Sequence, residues 1–262
     1  MDEAVGRRGA AASRPGIEAV RTALVDAAAV LLPVACAGCG SPDRGLCEGC
    51  RAALAPRPVR LERPGPPTWA ALPYAGEVAE VVRAFKDDGR TDAAGVLGRA
   101  LRAALAASCA ELQDGAAREI ATVPSTSSAR RRRGYDPVPL LVRRSGFAPV
   151  SVLRARPRRD QASLGREARA ANSAGSFVAP RPLRGRRFVL VDDVHTTGAT
   201  VTDAVRAIRA AGGSVDAVSV LASTPLRIGR ASPDGWRSGG DIHDLGGYGV
   251  RTGVVEPPFR TG

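Results

Sequence analysis

Phe188-Val-Leu-Val-Asp192-Asp193-Val-His195-Thr196-Thr197-Gly198-Ala199-Thr200 is the stretch that decides the fold of this 262-residue chain. Its four leading apolar residues predict a buried parallel strand, because a strand covered on both faces needs a continuous apolar run. Two carboxylates follow at the carboxyl end of that strand, where open α/β sheets place their ligands. After the loop, apolar residues at helical spacing predict a helix that ends at Gly212-Gly213.

The loop and the acidic pair together predict a site for a phosphorylated sugar. Thr196–Thr200 offers backbone N–H groups and hydroxyls at the positive end of a helix, which suits a phosphate. Asp192 and Asp193 can accept hydrogen bonds from vicinal ribose hydroxyls. One alternative is an ordinary strand–helix crossover whose aspartates only cap a turn. Another is a nucleotide hydrolase with aspartates on magnesium, but the chain has no Gly-x-x-x-x-Gly-Lys-Ser/Thr loop.

The same stretch resembles the PRPP-binding motif of type I phosphoribosyltransferases, in which a hydrophobic strand, two acidic residues and a Thr-Gly-rich loop follow one another (PRPP is phosphoribosyl pyrophosphate). The resemblance implies that Asp192 and Asp193 bind the ribose hydroxyls. It also implies magnesium-assisted PRPP binding. His195 is expected to contribute its backbone N–H, with its imidazole partly exposed. The residues expected to hold the 5′-phosphate are Thr196, Thr197, Gly198, Ala199 and Thr200.

The composition indicates a globular protein with a strong positive charge. The chain is 44% hydrophobic, its formal net charge is +12, and Lys86 is its one lysine beside many arginines. Such a charge suits nucleic acid, an anionic membrane or a phosphorylated substrate, and a solvated basic surface explains it about as well. The apolar run 27–35 is too short to span a bilayer. We therefore expect a cytoplasmic protein without membrane insertion.

Four cysteines near the N-terminus form two closely spaced pairs, Cys36-x-x-Cys39 and Cys47-x-x-Cys50. Two such knuckles can deliver four thiolates tetrahedrally to one Zn²⁺, and a shell filled by protein ligands makes the site structural. A redox cysteine pair and an iron–sulfur cluster are the alternatives. The spacing and a reducing compartment favour zinc. Cys109 lies on a predicted helical face and is expected to be a buried small side chain.

Composition and periodicity divide the chain into five segments. These are a disordered N-terminus over 1–16, a helix with the zinc module over 17–55, a linker over 56–68, an α/β domain over 69–224 and a mostly disordered tail over 225–262. Apolar spacing predicts helices over 17–32, 77–86 and 92–112, and strands over 119–123, 150–153, 188–191 and 215–221. Strands separated in this way imply parallel pairing through right-handed crossovers.

The motifs in their order resemble the ComF family of competence-associated proteins, whose members carry a phosphoribosyltransferase-like domain. The resemblance covers about residues 17–223. The chain departs from the family at Asp136-Pro137, where Asn-Gln is often found, and at Arg158, where a threonine is common. Besides the cysteine and acidic motifs, the residues that carry the resemblance are Tyr74, Lys86, Val123-Pro124, Arg133-Gly134-Tyr135, Arg154, Arg156, Gln161, Arg169, Asn172 and Phe177.

This resemblance implies a type I phosphoribosyltransferase fold, which is a Rossmann-like parallel-sheet core with a hood, joined to a small zinc-ribbon-like module. It implies a glycosyltransferase that moves the pentosyl group of PRPP, with a role in DNA uptake during competence or in nucleotide metabolism, and with competence machinery proteins as partners. The alternative is a single-stranded DNA-binding competence factor that uses the fold for ligand sensing. The net charge favours this alternative, and an aromatic content of only 4% counts against it.

The segment after the first core strand corresponds to the pyrophosphate loop of phosphoribosyltransferases, and its candidate residues are Pro124, Ser125, Thr126, Ser127 and Arg133. A serine-rich turn before a solvated basic helix start explains them about as well. Lys86, Arg156 and Gln161 are further candidate binding residues. The alternatives are that Lys86 is a chance lysine at a helix end and that Arg156 and Gln161 belong to a surface loop. No catalytic residue is assigned, because Thr196 has no useful basicity at the position where purine phosphoribosyltransferases commonly have an Asp.

Overall fold

The computed structural model describes residues 35–42, 45–156, 175–224, 250–251 and 254–255. The predicted N-terminus over 1–16, the helix over 17–32, Gln161 and most of the predicted tail lie outside the described residues. Within them, a mostly parallel sheet has apolar clusters with helices on both faces. This confirms the predicted α/β class.

The described residues form both helices and strands. The helices are α1 (Glu48–Ala53), α2 (Gly76–Asp87), α3 (Ala94–Glu111), α4 (Ser127–Arg133), α5 (Pro137–Arg144) and α6 (Ala199–Ala210), with a 3₁₀ turn at Thr91–Ala93. The strands are β1 (Val59–Leu61), β2 (Thr68–Pro73), β3 (Arg118–Thr122), β4 (Pro149–Val150), β5 (Arg154–Ala155), β6 (Phe177–Val178), β7 (Arg187–His195), β8 (Ser214–Ser223), β9 (Val250–Arg251) and β10 (Val254–Val255).

The sheet places the acidic motif on a central strand. Its order is β1-β2-β8-β7-β3-β10-β9, and β4 also pairs with β3. β2, β8, β7, β3 and β4 run parallel, whereas β1 and β10 pair antiparallel with their neighbours. β5 and β6 form a separate two-stranded antiparallel sheet. Since β7 lies between β8 and β3, its carboxyl end is flanked by the ends of both neighbours.

The apolar run of β7 is buried on both faces, as a central parallel strand requires. Val189 and Val191 belong to the apolar cluster that contains α2, α3 and α5. Phe188 and Leu190 belong to the cluster on the other face, which contains α6. One described helical stretch, Thr91–Glu111, is by length and composition alone apolar enough to cross a membrane, but its apolar side chains pack against the sheet, as in a core helix.

The predicted linker contains part of the sheet. β1 lies inside the proline-rich segment 56–68 and pairs with β2, which the sequence pattern does not indicate. β2 reads Thr-Trp-Ala-Ala-Leu-Pro, and alanine favours helices in isolation. Pairing with β8 over Thr68–Pro73 and burial of Ala70 and Ala71 override that preference.

Helices α3 and α5 approach each other closely at Gly98. A Cβ atom there would lie 2.5 Å from the Cβ of Arg144 and 2.7 Å from its carbonyl carbon. We expect Gly98→Ala to lower the free energy of unfolding by about 1–3 kcal/mol, the usual cost of overpacking. Gly95→Ala is the matched control, because its Cβ position has nothing within 4 Å and alanine stabilises a helix by up to about 1 kcal/mol. Urea denaturation compares the variants, and equal stability would contradict the close approach.

Candidate functional site

The two aspartates of the motif are buried side by side at the carboxyl end of β7. Asp192 and Asp193 are each 7% exposed. The N–H of Asp193 donates to Oδ1 of Asp192 at 2.9 Å, and the N–H of Val194 donates to Oδ1 of Asp193 at 2.7 Å. Local backbone donors therefore orient both carboxylates at the point where the apolar run ends.

Lys86 in the last turn of α2 forms an ion pair with Asp193. Its Nζ lies 3.0 Å from Oδ1 and 2.9 Å from Oδ2 of that carboxylate. Burial alone would lower the pKa of Lys86, but the negative charges of Asp193 and Asp192 outweigh burial, so the pKa is raised. The one lysine of the chain therefore lies at the acidic pair. A contact between Lys86 and a ligand stays a prediction.

Asp192 differs electrostatically from its neighbour. Burial, followed by the negative charge of Asp193, raises the pKa of the Asp192 carboxyl to about 8, and Lys86 offsets this only in part. At neutral pH Asp192 therefore largely retains its proton. Among the residues that the structure describes, the Lys86 ammonium is bonded to Asp193 alone, so ionisation of Asp192 as well needs a further positive charge or further hydrogen-bond donors.

The loop after β7 turns the chain into α6. Gly198 adopts the left-handed conformation at φ 82° and is the N-cap of that helix, without a side-chain cap. The Oγ1 of Thr197 accepts from the N–H of Ala199 at 3.4 Å. Thr196, Thr197 and Thr200 are exposed. The first N–H groups of a helix have no partner within it, so this loop can offer hydroxyl and backbone donors to an anion.

His195 is buried, at 4% exposure, and not partly exposed as predicted. Its ring packs on the loop, since a Cβ on Gly198 would lie 3.0 Å from both Cε1 and Nε2 of the imidazole. Burial, followed by the nearby guanidinium of Arg63, lowers the pKa of His195, so the ring is neutral at neutral pH. Its Nδ1 has no hydrogen-bond partner among the described residues. Gly198 is therefore required both by its φ and by the space that the imidazole leaves.

The predicted pyrophosphate loop lies beside β7, because it follows β3. The Oγ of Ser125 donates to Oδ1 of Asp136 at 2.9 Å. Thr126 caps α4, and its Oγ1 accepts from the N–H of Ala129 at 3.3 Å. Pro124 is half-buried, whereas Thr126 and Ser127 are exposed. The serine-rich turn and the helix start, which are the alternative interpretation of this segment, are both present. They lie where the predicted pyrophosphate loop is expected.

Arg133 extends from α4 towards the end of α2. Its Nη2 donates to Oδ1 of Asp87 at 3.0 Å. Its Nε and the Oη of Tyr135 are buried without a hydrogen-bond partner in the described part of the chain. The ring of Tyr135 packs against Phe85, with 5.6 Å between the centroids. The Arg133–Tyr135 turn therefore lies next to the end of α2 that carries Lys86.

Arg156 lies next to the two-stranded sheet of β5 and β6, outside the main sheet. It follows β5 and is exposed, and its N–H donates to the carbonyl of Ser176 at 2.7 Å. β6 is held to α6 by Asp203, which is 3% exposed and accepts the N–H groups of Gly175 at 2.7 Å and Phe177 at 2.9 Å. An aspartate among the apolar positions of α6 is the sequence signal that could have identified this anchor.

The four cysteines of the N-terminal module are positioned to hold one metal ion, as predicted. All their Sγ atoms lie within 4.8 Å of one another, and those of Cys39 and Cys47 are 3.6 Å apart. Four thiolates at about 2.3 Å from a tetrahedral zinc ion lie about 3.8 Å from one another, so the cluster fits structural Zn²⁺. Burial raises the pKa of Cys36, but backbone N–H donors, that of Cys47 first, outweigh it and lower the value to about 6.

This module packs directly against α2. Cys36, Cys50 and Leu54 belong to the same buried cluster as Val81 and Phe85 of that helix. The guanidinium of Arg90 donates to the carbonyls of Ala35 at 2.8 Å and Gly45 at 3.0 Å. The metal module is therefore joined to the helix whose last turn carries Lys86.

Comparison with known proteins found relatives of two kinds. The chain is 27% identical over 94 residues to the Competence protein ComFC of Streptococcus pneumoniae, which covers 36% of this chain and 43% of that protein. It is 27% identical over 205 residues to the DNA utilization protein YhgH of Escherichia coli O6:H1, which covers 72% of this chain and 88% of that protein. It is 36% identical over 102 residues to the orotate phosphoribosyltransferase of Streptomyces coelicolor, which covers 39% of this chain and 52% of that protein. No family model matches the chain.

These relatives confirm the resemblance to the ComF family, at modest identity and together with the four-cysteine cluster. The similarity to orotate phosphoribosyltransferases, with the mostly parallel sheet, confirms a phosphoribosyltransferase-like α/β fold. The matched stretch spans less than half the length of the pneumococcal protein.

Proposed function

We propose that this ComF-like chain binds PRPP with Mg²⁺ and acts as a phosphoribosyltransferase. The observation that carries the proposal is the succession of Asp192, Asp193 and the exposed Thr196–Thr200 loop at the carboxyl end of the central strand β7. The carboxylates would accept hydrogen bonds from the 2′- and 3′-hydroxyls of the ribose. The loop and the first turn of α6 would bind the 5′-phosphate.

The remaining charged groups suit the pyrophosphate end of PRPP. The Pro124–Ser127 segment follows β3, the neighbour of β7, and Arg133 lies near Lys86. Asp192 and Asp193 are oxygen donors of the kind that Mg²⁺ takes, directly or through water. Bound Mg²⁺ would supply charge neutralisation of the leaving pyrophosphate.

Displacement at C1 of the ribose has an oxocarbenium-like transition state. Positioning of the ribose by the aspartates and stabilisation of the leaving group would therefore provide most of the acceleration. Lys86 cannot serve as the general base for an acceptor, because Asp193 holds it as an ammonium, and the neutral imidazole of His195 is buried at 4% exposure. An acceptor that needs no deprotonation, such as an amine or a heterocyclic nitrogen, fits such a site best.

The affinity for PRPP should rise with pH up to about 8. Asp192 must be ionised to act beside Asp193 as a charged acceptor for the ribose diol, and its pKa is raised to about 8, so binding at neutral pH must release a proton. Each pH unit below 8 then costs roughly tenfold in affinity. Titration calorimetry from pH 7 to 9, in two buffers of different ionisation enthalpy, measures the affinity and the protons released. A pH-independent affinity without proton release would contradict this assignment.

The experiment that tests the function incubates the purified protein with PRPP and Mg²⁺ and follows pyrophosphate release over a panel of bases and amines. We expect PRPP to bind and pyrophosphate to appear only with certain acceptors. A sample without added Mg²⁺ is the control. Absence of PRPP binding at millimolar concentration would overturn the proposal, whereas binding without release would restrict it to ligand sensing.

A second candidate function is single-stranded DNA binding, favoured by the exposed side chains of Arg130, Arg131 and Arg132 on α4. The names of two relatives, a competence protein and a DNA utilization protein, suit a role in DNA handling with competence machinery as partner, in the cytoplasm. Affinity should then fall steeply with salt, because bound arginines release counterions from the DNA. A gel-shift assay without retention at low salt would exclude this function.

A further inference from the structure

We propose that Arg63, in the connection between β1 and β2, is a specificity-determining residue that binds the terminal phosphate of the sugar phosphate. This inference rests on the proposed function, because it adds a contact to the same loop. Arg63 belongs to the segment 56–68, for which the sequence predicts only a linker.

The fold brings Arg63 to the phosphate loop from a distant part of the chain. Val59 and Leu61 of β1 pack against the apolar cluster that contains Val201 and Val205 of α6. Val59 and Leu61 therefore face the α6 side of the sheet, and the chain leaving the edge strand β1 carries Arg63 towards the start of that helix. The Nη2 of Arg63 donates to the carbonyl of Thr196 at 3.3 Å, although 133 residues separate them.

Arg63 has donors that the described part of the protein does not use. A guanidinium has five N–H donors in a planar fork. The bond to Thr196 is the one hydrogen bond that Arg63 forms within the described residues, and its buried Nε has no partner there. Buried polar atoms in native proteins are almost always paired, so an orphaned donor beside a loop of threonines indicates a missing acceptor.

The Arg63 guanidinium is a fixed positive charge at this loop. A guanidinium keeps its proton in proteins, and here its charge adds to the partial charge at the N-terminus of α6. The neighbouring Nδ1 of His195 is also buried without a partner among the described residues.

A phosphate monoester is the anion that this arrangement fits. Its oxygens can accept the planar fork of Arg63 in bidentate fashion while the helix N–H groups and the threonine hydroxyls bind the others. The Thr196 carbonyl holds one end of the guanidinium and so fixes the direction of the fork. Arg63 should therefore discriminate a 5′-phosphorylated ribose from ligands that lack this phosphate.

The test uses the full chain with ribose 5-phosphate, Mg²⁺-PRPP and inorganic pyrophosphate as probes in titration calorimetry. Arg63→Met keeps an apolar stem and removes the fork. Arg60→Met is the matched control, since the exposed Arg60 is bound to Glu111 and Glu62 and not to the loop. Arg63→Met should weaken ribose 5-phosphate and PRPP by about 10- to 100-fold, the loss of charge-assisted hydrogen bonds, with pyrophosphate unchanged. Arg60→Met should leave all three affinities unchanged.

The outcomes separate this inference from the proposed function. If the parent protein binds ribose 5-phosphate and PRPP but Arg63→Met binds them equally well, the Arg63 assignment is wrong and the proposed function stands. If the parent protein binds neither, both are wrong. If Arg63→Met fails to fold, Arg63→Lys decides, because a lysine keeps the charge without the fork. A weakened affinity for ribose 5-phosphate then supports the assignment, and an unchanged one overturns it.

Discussion

Changing both aspartates at the end of β7, Asp192→Asn with Asp193→Asn, is expected to abolish PRPP binding in a protein that remains folded. Asparagine keeps the shape of each side chain but replaces a charged acceptor with a neutral amide. Each hydrogen bond to a charged group contributes about 1.5–3 kcal/mol, so losing two costs about 3–6 kcal/mol. This corresponds to a loss of affinity of about a hundredfold to ten-thousandfold.

The double variant should fold because its two substitutions have opposite effects on stability at neutral pH. The pKa of Asp192 is raised from 3.8 to about 8, so between these values the folded state binds the proton more tightly than the unfolded chain. The stability that this carboxyl contributes at acid pH is therefore lost as the pH rises towards 8. The change Asp192→Asn removes this cost, whereas Asp193→Asn removes the partner of Lys86. We expect these opposing effects to leave the melting temperature within a few degrees.

A charge-matched control separates the loss of contacts from the loss of charge. Glu77→Gln with Glu80→Gln removes two carboxylates from exposed positions of α2. Calorimetry should show normal PRPP binding for this control and none for the aspartate variant. Normal binding by the folded aspartate variant would be incompatible with the proposed ribose site.

Removing the metal from the four-cysteine module is expected to unfold that module and lower the stability of the whole protein. Zinc binding in small modules is worth on the order of 10 kcal/mol. The apolar core of the four-cysteine module is small among the described residues. Cys36 and Cys50 are themselves part of the cluster that contains Val81 and Phe85. Unfolding of the module therefore uncovers α2.

The measurement combines metal analysis with thermal denaturation and limited proteolysis. We expect one zinc ion per chain, and after chelation or with Cys36→Ser a melting temperature lower by more than about 10 °C, as expected when several kcal/mol are lost. Residues 35–55 should become sensitive to protease. Cys109→Ala is the control, because Cys109 lies outside the metal cluster and should leave the zinc content unchanged. An iron–sulfur chromophore, or a metal-free protein with unchanged melting, would refute the structural zinc site.

The parts of the molecule that the sequence could predict are those whose residues are close together in the chain. β7, its loop and α6 form one continuous stretch, and the two cysteine pairs lie within 15 residues, from Cys36 to Cys50. Their chemistry is carried by local spacing, which a pattern can detect. Lys86 could be suspected because it is the one lysine in an arginine-rich chain, although its partner Asp193 is 107 residues away.

The parts that the sequence could not predict depend on contacts between distant segments. β2 is defined by pairing with β8, about 150 residues further along the chain, and its alanines alone favour a helix. The burial of His195 depends on how closely Gly198 approaches its ring. The position of Arg63 depends on β1 pairing at the edge of the sheet with its Val59 and Leu61 side chains on the α6 side. None of these leaves a periodic signal, because each is set by tertiary packing.

A crystal structure of the protein with PRPP and Mg²⁺ tests the central claim most directly. The account predicts the 2′- and 3′-hydroxyls within hydrogen-bond distance of the Asp192 and Asp193 carboxylates, and the 5′-phosphate against the backbone of Thr196–Thr200. PRPP bound elsewhere, for example along the arginines of α4, with Lys86 still closing off the acidic pair, would contradict it.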